Sequence, residues 1–260
     1  AIQNPRRWPA SRWLWLLPLV WFWATGRLER RLLPRLVVLF LLGGLDRGFG
    51  WFMVSSGFFP DSTAVEPYRL VIHLVLALVL YGAIVWTGLT VLRPTPMHRP
   101  LAFRLRPLAF ACAGLLALTI VAGGFTAGTH AGWDYNTFPL MDGQIVPDGY
   151  ARLTPFLRNL TENVAAVQFD HRLLATATAL MVALTVLVGF ALRLPRDLRL
   201  ALFALGVTAA VQYCLGVATL LLVVPVGLAA AHQANAVLLL TAALVLMHAL
   251  RRPSAAAVEP

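Results

Sequence analysis

Charge is scarce in this chain. Only 12% of its 260 residues are charged, against about 25% in ordinary soluble domains, while 59% are hydrophobic, against about 45–50%. The apolar excess is spread along the whole length, which excludes a single soluble core and a disordered chain. Lysine is absent: all 21 basic residues are Arg, set against 11 acidic ones for a net charge of +10. In a soluble protein that balance would point to nucleic acid. Here the Arg residues sit in short loops between apolar runs, the pattern of cytoplasmic loops in a membrane protein, so nucleic acid is set aside as a partner. Cysteine is almost absent. Cys112 and Cys214 both lie inside apolar runs and read as small packed residues. P-loop, dinucleotide fingerprint, zinc-ligand spacing and Ser-His-Asp arrangement are all missing.

What is present is a series of long apolar segments. A membrane-spanning helix needs about 20 mostly apolar residues, and the expected segments run over residues 13–25, 34–54, 68–92, 105–125, 168–192, 198–223 and 228–250. The fold class is therefore all-α, a polytopic transmembrane bundle of about seven helices in contact with membrane lipid. The first segment is short, rich in Trp (Trp13, Trp15, Trp21, Trp23) and interrupted by Pro18. It reads as the remainder of a helix that begins upstream, and Ala1 in place of an initiator Met suits a fragment or a processed chain. The remaining Arg residues mark one side of the membrane: Arg27, Arg30, Arg31 and Arg35, then Arg93, Arg99 and Arg104, then Arg193, Arg196 and Arg199, then Arg251 and Arg252. The positive-inside rule places them in the cytoplasm. Loops 55–67, 126–167 and 224–227, which carry Asp61, Glu66, Asp134, Asp142, Asp148 and Glu162, then face outward. The second is long enough to form a lid or a docking surface.

Six histidines remain as candidates for chemistry. His73, His171 and His232 each fall one to two turns into a helix that starts from the outer side, so the three imidazoles share one depth. Ionisable groups inside a membrane are costly and usually functional, and an imidazole on a helix is a standard axial ligand of haem iron. Taken singly, each also reads as a hydrogen-bonded packing residue between helices; three at a matched depth favour a ligand role. His248 beside Arg251 reads as interfacial, and His98 and His130 as loop residues. Arg172, next to His171, suits either a haem propionate, whose carboxylate fork a guanidinium matches, or an interfacial position. Asp46-Arg47, inside an apolar segment, reads as a pair that neutralises itself. A weak repeat relates Gly50, His73 and Ala77 to Gly216, His232 and Ala236, which suggests two similar halves, 1–103 and 104–260.

Several stretches make the resemblance specific: Gly123-Gly124-Phe125, Ala127-Gly128, Tyr135-Asn136-Thr137-Phe138-Pro139-Leu140-Met141-Asp142-Gly143, Asn163-Val164, Gln168-Phe169-Asp170-His171-Arg172, Tyr68-Arg69-Leu70 before His73, His232-Gln233, and Gly50-Trp51 with Met53-Val54. Over residues 13–250 the chain resembles the haem A synthase family, in the branch without cysteine pairs in the outer loops. The resemblance implies a multi-pass protein of the inner membrane with eight helices in two pseudo-repeated four-helix halves. It implies an oxidoreductase that converts the methyl group of haem O to the formyl group of haem A for cytochrome oxidase. It implies a haem b held by His171 and His232, with Arg172 beside it, and a substrate haem held in the first half by His73, so that all three histidines would be iron ligands. Haem O synthase and the cytochrome oxidase assembly pathway are the implied partners, and a homo-oligomer is compatible. The family's Glu-x-x-His-Arg stretch, which carries the proposed catalytic carboxylate, has no counterpart here; Pro5 falls where its His would be, and the catalytic residue is unknown. Gln-Gly is the family tendency where Asp46-Arg47 stands, and Gln212 occupies the matching place in the other half. The alternatives are a bis-His membrane cytochrome that only transfers electrons, or an inactive truncated homologue.

Overall fold

The computed structural model describes residues 10–55, 65–94, 102–192 and 194–251. Pro5, Asp61, His98, Arg99, Arg193 and Arg252 fall outside the described residues. All named elements are helical: α1 (Ala10–Ala24), α2 (Leu33–Ser55), α3 (Pro67–Leu92), α4 (Arg106–Gly128), a single-turn α5 (Asn159–Glu162), α6 (Val164–Ala191), α7 (Arg196–Leu221) and α8 (Val226–Ala249). Among the described residues, six helical segments are long and apolar enough to cross a membrane. These are α2, α3, α4 with the 3₁₀ turn before it, α6, α7 and α8. The all-α polytopic bundle expected from hydropathy is therefore what the chain forms. The described part of α1 has 15 residues, short of a full crossing, and it runs through Pro18 rather than breaking there.

Contacts divide the chain into a unit up to Gly44 and a second from Leu45 onward. In the first, α1 ends where Gly26 adopts a left-handed φ of +66°. There the amides of Arg27 and Leu28 both return to the carbonyl of Phe22, the usual way a helix terminus satisfies its last carbonyls.

In the second unit, α4, α6, α7 and α8 form a closed ring. Each packs on the next, α8 packs back on α4, and α6 and α8 lie across the ring from each other. Helix α3 packs outside on α4 and α8. Its approach to α4 depends on small residues: a Cβ at Gly124 would fall 3.0 Å from Val71 and Leu74, and one at Gly128 would fall 2.9 Å from Pro67. Without a hydrophobic force between helices in lipid, close packing and interhelical hydrogen bonds hold such a bundle. Thr119 bonds Thr178 at 2.8 Å, Cys112 bonds Thr185 at 3.1 Å, Thr176 bonds Tyr213 at 3.1 Å and Tyr81 bonds Thr241 at 2.7 Å. Cys112 is thus packed as expected, with a hydroxyl partner.

The buried apolar cluster occupies one half of the ring only. It is built from Leu105, Ala109, Cys112 and Leu116 at the start of α4 and its preceding turn, Leu198, Leu202, Leu205 and Ala209 at the start of α7, Val182 on α6, and Leu239, Ala242, Ala243 and Leu246 on α8. Chain direction places all of these toward the Arg-rich ends. There His248 is 1% exposed, buried rather than interfacial. Its Nε2 faces Thr90 Oγ1 at 3.2 Å, its Nδ1 faces Arg251 Nη1 at 2.8 Å, and its ring meets Trp86 edge-on at 5.1 Å. Arg251 also donates to the carbonyls of Arg93 and Pro94. One polar clasp therefore ties the ends of α3 and α8 together.

Candidate functional site

Helices α3, α6 and α8 all begin on the side opposite that core, and His73, His171 and His232 sit about two turns into them. The matched depth read from the sequence is present in the fold. Each imidazole also packs closely against a glycine of the preceding long helix. A Cβ at Gly50 of α2 would fall 3.1 Å from His73 Cε1, one at Gly123 of α4 would fall 2.9 Å from His171 Cε1, and one at Gly216 of α7 would fall 3.1 Å from His232 Cε1. Any side chain at these three glycines would occupy the place of a ring.

One helical turn before each glycine stands a group that meets the same ring. The carbonyl of Thr119 lies 3.2 Å from His171 Nδ1. Gln212 Nε2 lies 3.2 Å from His232 Nδ1 and 3.3 Å from its Nε2, and Asn235 holds that amide by donating to Gln212 Oε1 at 2.9 Å and to the Thr208 carbonyl. Asp46 Oδ1 lies 3.1 Å from His73 Nδ1. A residue four positions along a helix lies on the same face, so glycine and partner form one cradle, and the cradle occurs three times. The sequence repeat captured two of the three glycines. Gly123 was legible only as part of the Gly123-Gly124-Phe125 stretch.

His171 and His232 belong to α6 and α8, the two helices across the ring from each other. The apolar cluster stops on α4 at Leu116 and on α7 at Ala209, before the level of Gly123 and Gly216. This arrangement fits a planar group clamped on both faces. A His that ligates iron holds one ring nitrogen on a carbonyl or carboxylate and offers the other; His171 places Nδ1 on the Thr119 carbonyl in that manner, whereas both ring nitrogens of His232 face the Gln212 amide. No cluster of three or more His, Cys, Asp or Glu suited to a bare metal ion exists among the described residues; a porphyrin, which brings four nitrogens of its own, needs only the two imidazoles.

Arg172 is engaged with the outer loop. Its Nη1 donates to the Thr137 carbonyl at 2.8 Å, and its Nη2 donates to the Tyr135 carbonyl and to Gln168 Oε1. Its Nε is buried with no hydrogen-bond partner. Gln168 Nε2 donates to the carbonyls of Ala131 and Asp134, and Asn136 Nδ2 to those of Gly132 and Leu220. Farther along, Asn163 caps α6 through the Ala165 amide and donates to Gly149, while Tyr150 donates to Asp170 Oδ1 at 2.9 Å. Burial, then the carboxylate of Asp170, push the Tyr150 phenol up to about 12. Loop residues 129–163 are thus bound to the start of α6 by the polar residues around His171. Sequence reasoning missed this because the acceptors are backbone carbonyls. His130, in the same loop, stacks on Trp133 with 5.0 Å between ring centres.

Residues 10–244 match the COX15-CtaA family, described as cytochrome oxidase assembly protein. The chain belongs to this family. It is 56% identical over 236 residues to the heme A synthase of Granulibacter bethesdensis, covering 91% of this chain and 62% of that protein. It is 48% identical to the heme A synthase of Rhodospirillum centenum, over 92% of this chain and 64% of that one. To heme A synthase COX15 of Arabidopsis thaliana it is 41% identical, over 93% and 55%. The chain therefore spans less than two thirds of the length of these relatives. No solved structure matches. As a COX15-CtaA member with six membrane-competent helices, the chain is a multi-pass protein of the inner membrane.

Proposed function

We propose that this chain forms the haem-binding part of a haem A synthase, an oxidoreductase that turns the methyl group of haem O into the formyl group of haem A. In this reading His171 and His232 hold a haem b across the ring, His73 holds the substrate haem O, and the halves 1–103 and 104–260 divide the two roles. The observation that carries it is the cradle found three times, glycine plus ring-facing partner, at one depth. Two cradles face each other across a four-helix ring, and the third lies on α2 and α3. Haem b, when bound, supplies one-electron transfer to and from the site. The chain's own residues do the rest. The Thr119 carbonyl and the Gln212 amide fix the ligand rings, the helices exclude water in a lipid medium that suits an apolar substrate, and Arg172 holds the outer loop beside His171 with its Nε directed into protein. Haem O synthase and the cytochrome oxidase assembly pathway are the partners this reading supplies.

A purely electron-carrying cytochrome would use His171 and His232 equally well; the cradle at His73 favours the enzyme, since a carrier has no need of a further ligand site. The test is spectroscopic and chemical. His171→Ala and His232→Ala should each abolish the low-spin bis-His signal, and His73→Ala should retain it. In cells making haem O and no other haem A, the protein carrying this chain should yield haem A, and its His73→Ala variant should yield at least tenfold less. Haem A unchanged in His73→Ala would overturn the substrate-haem assignment of His73, and no haem A from the parent would leave only the electron carrier; an unchanged bis-His signal in His171→Ala or His232→Ala would overturn the haem b assignment.

A further inference from the structure

The three cradles differ in one respect. Two present a neutral group to the imidazole, the Thr119 carbonyl and the Gln212 amide. The third presents a carboxylate. Asp46 Oδ1 and His73 Nδ1 are 3.1 Å apart. Both atoms are buried and neither makes a hydrogen bond, so the two groups approach closely without yet being bonded. Asp46 belongs to a membrane-crossing helix, where a carboxylate is expensive unless it is matched to a partner.

We propose that Asp46 is the positioning residue of His73, holding the Nδ1–H so that Nε2 is presented to the substrate iron, and making this imidazole a stronger donor than His171 or His232. The inference rests on the reading of His73 as the substrate-haem ligand. A carboxylate at the far nitrogen fixes the tautomer and ring plane and raises ligand basicity, and the loss of such a partner typically lowers metal affinity about 10- to 100-fold. A hydrogen bond to a charged acceptor is about twice as strong as one to a neutral acceptor. The chain thus carries two kinds of iron site on one scaffold. A neutral pair suits an iron that cycles between oxidation states. A carboxylate-backed imidazole would favour the ferric state of an iron held at His73.

The experiment uses the purified protein in detergent, loaded with haem O, followed by redox titration and by equilibrium titration of haem O. Three variants are compared with the parent: Asp46→Gln, which reproduces the partner found at His232 without the charge; Asp46→Leu, which removes both hydrogen bond and charge; and His73→Ala. The bis-His signal of the haem on His171 and His232 reports folding in every case. Asp46→Gln should keep haem O affinity within about threefold and make the substrate iron about tenfold easier to reduce, a rise of about 59 mV for a one-electron couple. Asp46→Leu should weaken haem O binding about 10- to 100-fold. The haem b potential should stay fixed throughout. If His73→Ala alters haem O binding while both Asp46 variants leave affinity and potential at parent values, Asp46 is not the positioning residue and the ligand reading stands. If His73→Ala itself leaves the bound haem O unchanged, both fall together.

Discussion

Gly123→Ala is the sharpest perturbation the structure offers, because one methyl group is aimed at one ring. The new Cβ would stand 2.9 Å from His171 Cε1 and 3.4 Å from its Nδ1. Ordinary contact begins near 3.4 Å, so the ring must retreat by roughly 0.5 Å, a local overpacking that typically costs about 1–3 kcal/mol. The same retreat stretches the bond from His171 Nδ1 to the Thr119 carbonyl, already 3.2 Å, beyond hydrogen-bonding reach, and forfeits a further ~1 kcal/mol. Together these equal roughly a 30- to 1,000-fold loss in ligand alignment at ~1.4 kcal/mol per factor of ten. Haem content per protein after purification, with the low-spin EPR signal, reads the effect directly. Gly114→Ala on the same helix, where a Cβ meets nothing within 4 Å, is the control and should be neutral or stabilising by about 0.5–1 kcal/mol. Parent haem content and an unshifted signal in Gly123→Ala would refute the cradle as a ligand device.

Three further outcomes follow from the same geometry. Arg172→Leu should leave the low-spin signal in place and raise protease cleavage within residues 129–163 several-fold; loss of the haem with an intact loop would instead assign Arg172 to a propionate. Tyr150, raised from 10 to about 12 by burial first and by Asp170 second, contributes stability that is fully present below pH 10 and is lost as pH rises through 12; a difference ultraviolet titration of the parent against Tyr150→Phe should show no phenolate from this residue at pH 10.5. A single Cys at Thr137, with Cys112 and Cys214 replaced, should label with an impermeant reagent only from outside the cytoplasm, and labelling from the cytoplasmic side alone would invert the topology.

How much of this was legible in the sequence differs from level to level. The helices were, since a run of apolar residues longer than a bilayer crossing has few other uses; their ends moved by a few residues because Pro67, Asn163, Pro195 and Pro225 set the starts and hydropathy does not register caps. The depth of the three histidines was legible as well, from distance to the helix start. The face each ring meets was not. Helical spacing tells which residues share a side of α4, and nothing in it says that this side lies against His171. For the same reason Asp46 reads from sequence as a partner of Arg47, its neighbour in the chain, although its carboxylate meets His73 across two helices. His248 looked like a membrane-surface residue because Arg251 follows it. Its burial comes from Thr90 and Trp86 on α3, which only the packing brings near. The loop signature was recognisable as a pattern, yet its job of supplying carbonyls to Gln168 and Arg172 depends on main-chain atoms that every residue has.

The one-sided apolar cluster has a consequence for biogenesis. Closure of the ring rests on Leu105, Leu198, Leu202, Leu205, Leu239 and Leu246 and on the His248 clasp, all toward the Arg-rich ends, while His171 and His232 stand at the other. The bundle can therefore assemble in the bilayer as a finished cup, its base sealed before its rim receives anything. If His171 and His232 hold a haem as proposed, loading it becomes a late step, taken up by a protein already folded. A cell short of haem would then accumulate stable empty protein ready to be filled, rather than misfolded chains marked for destruction.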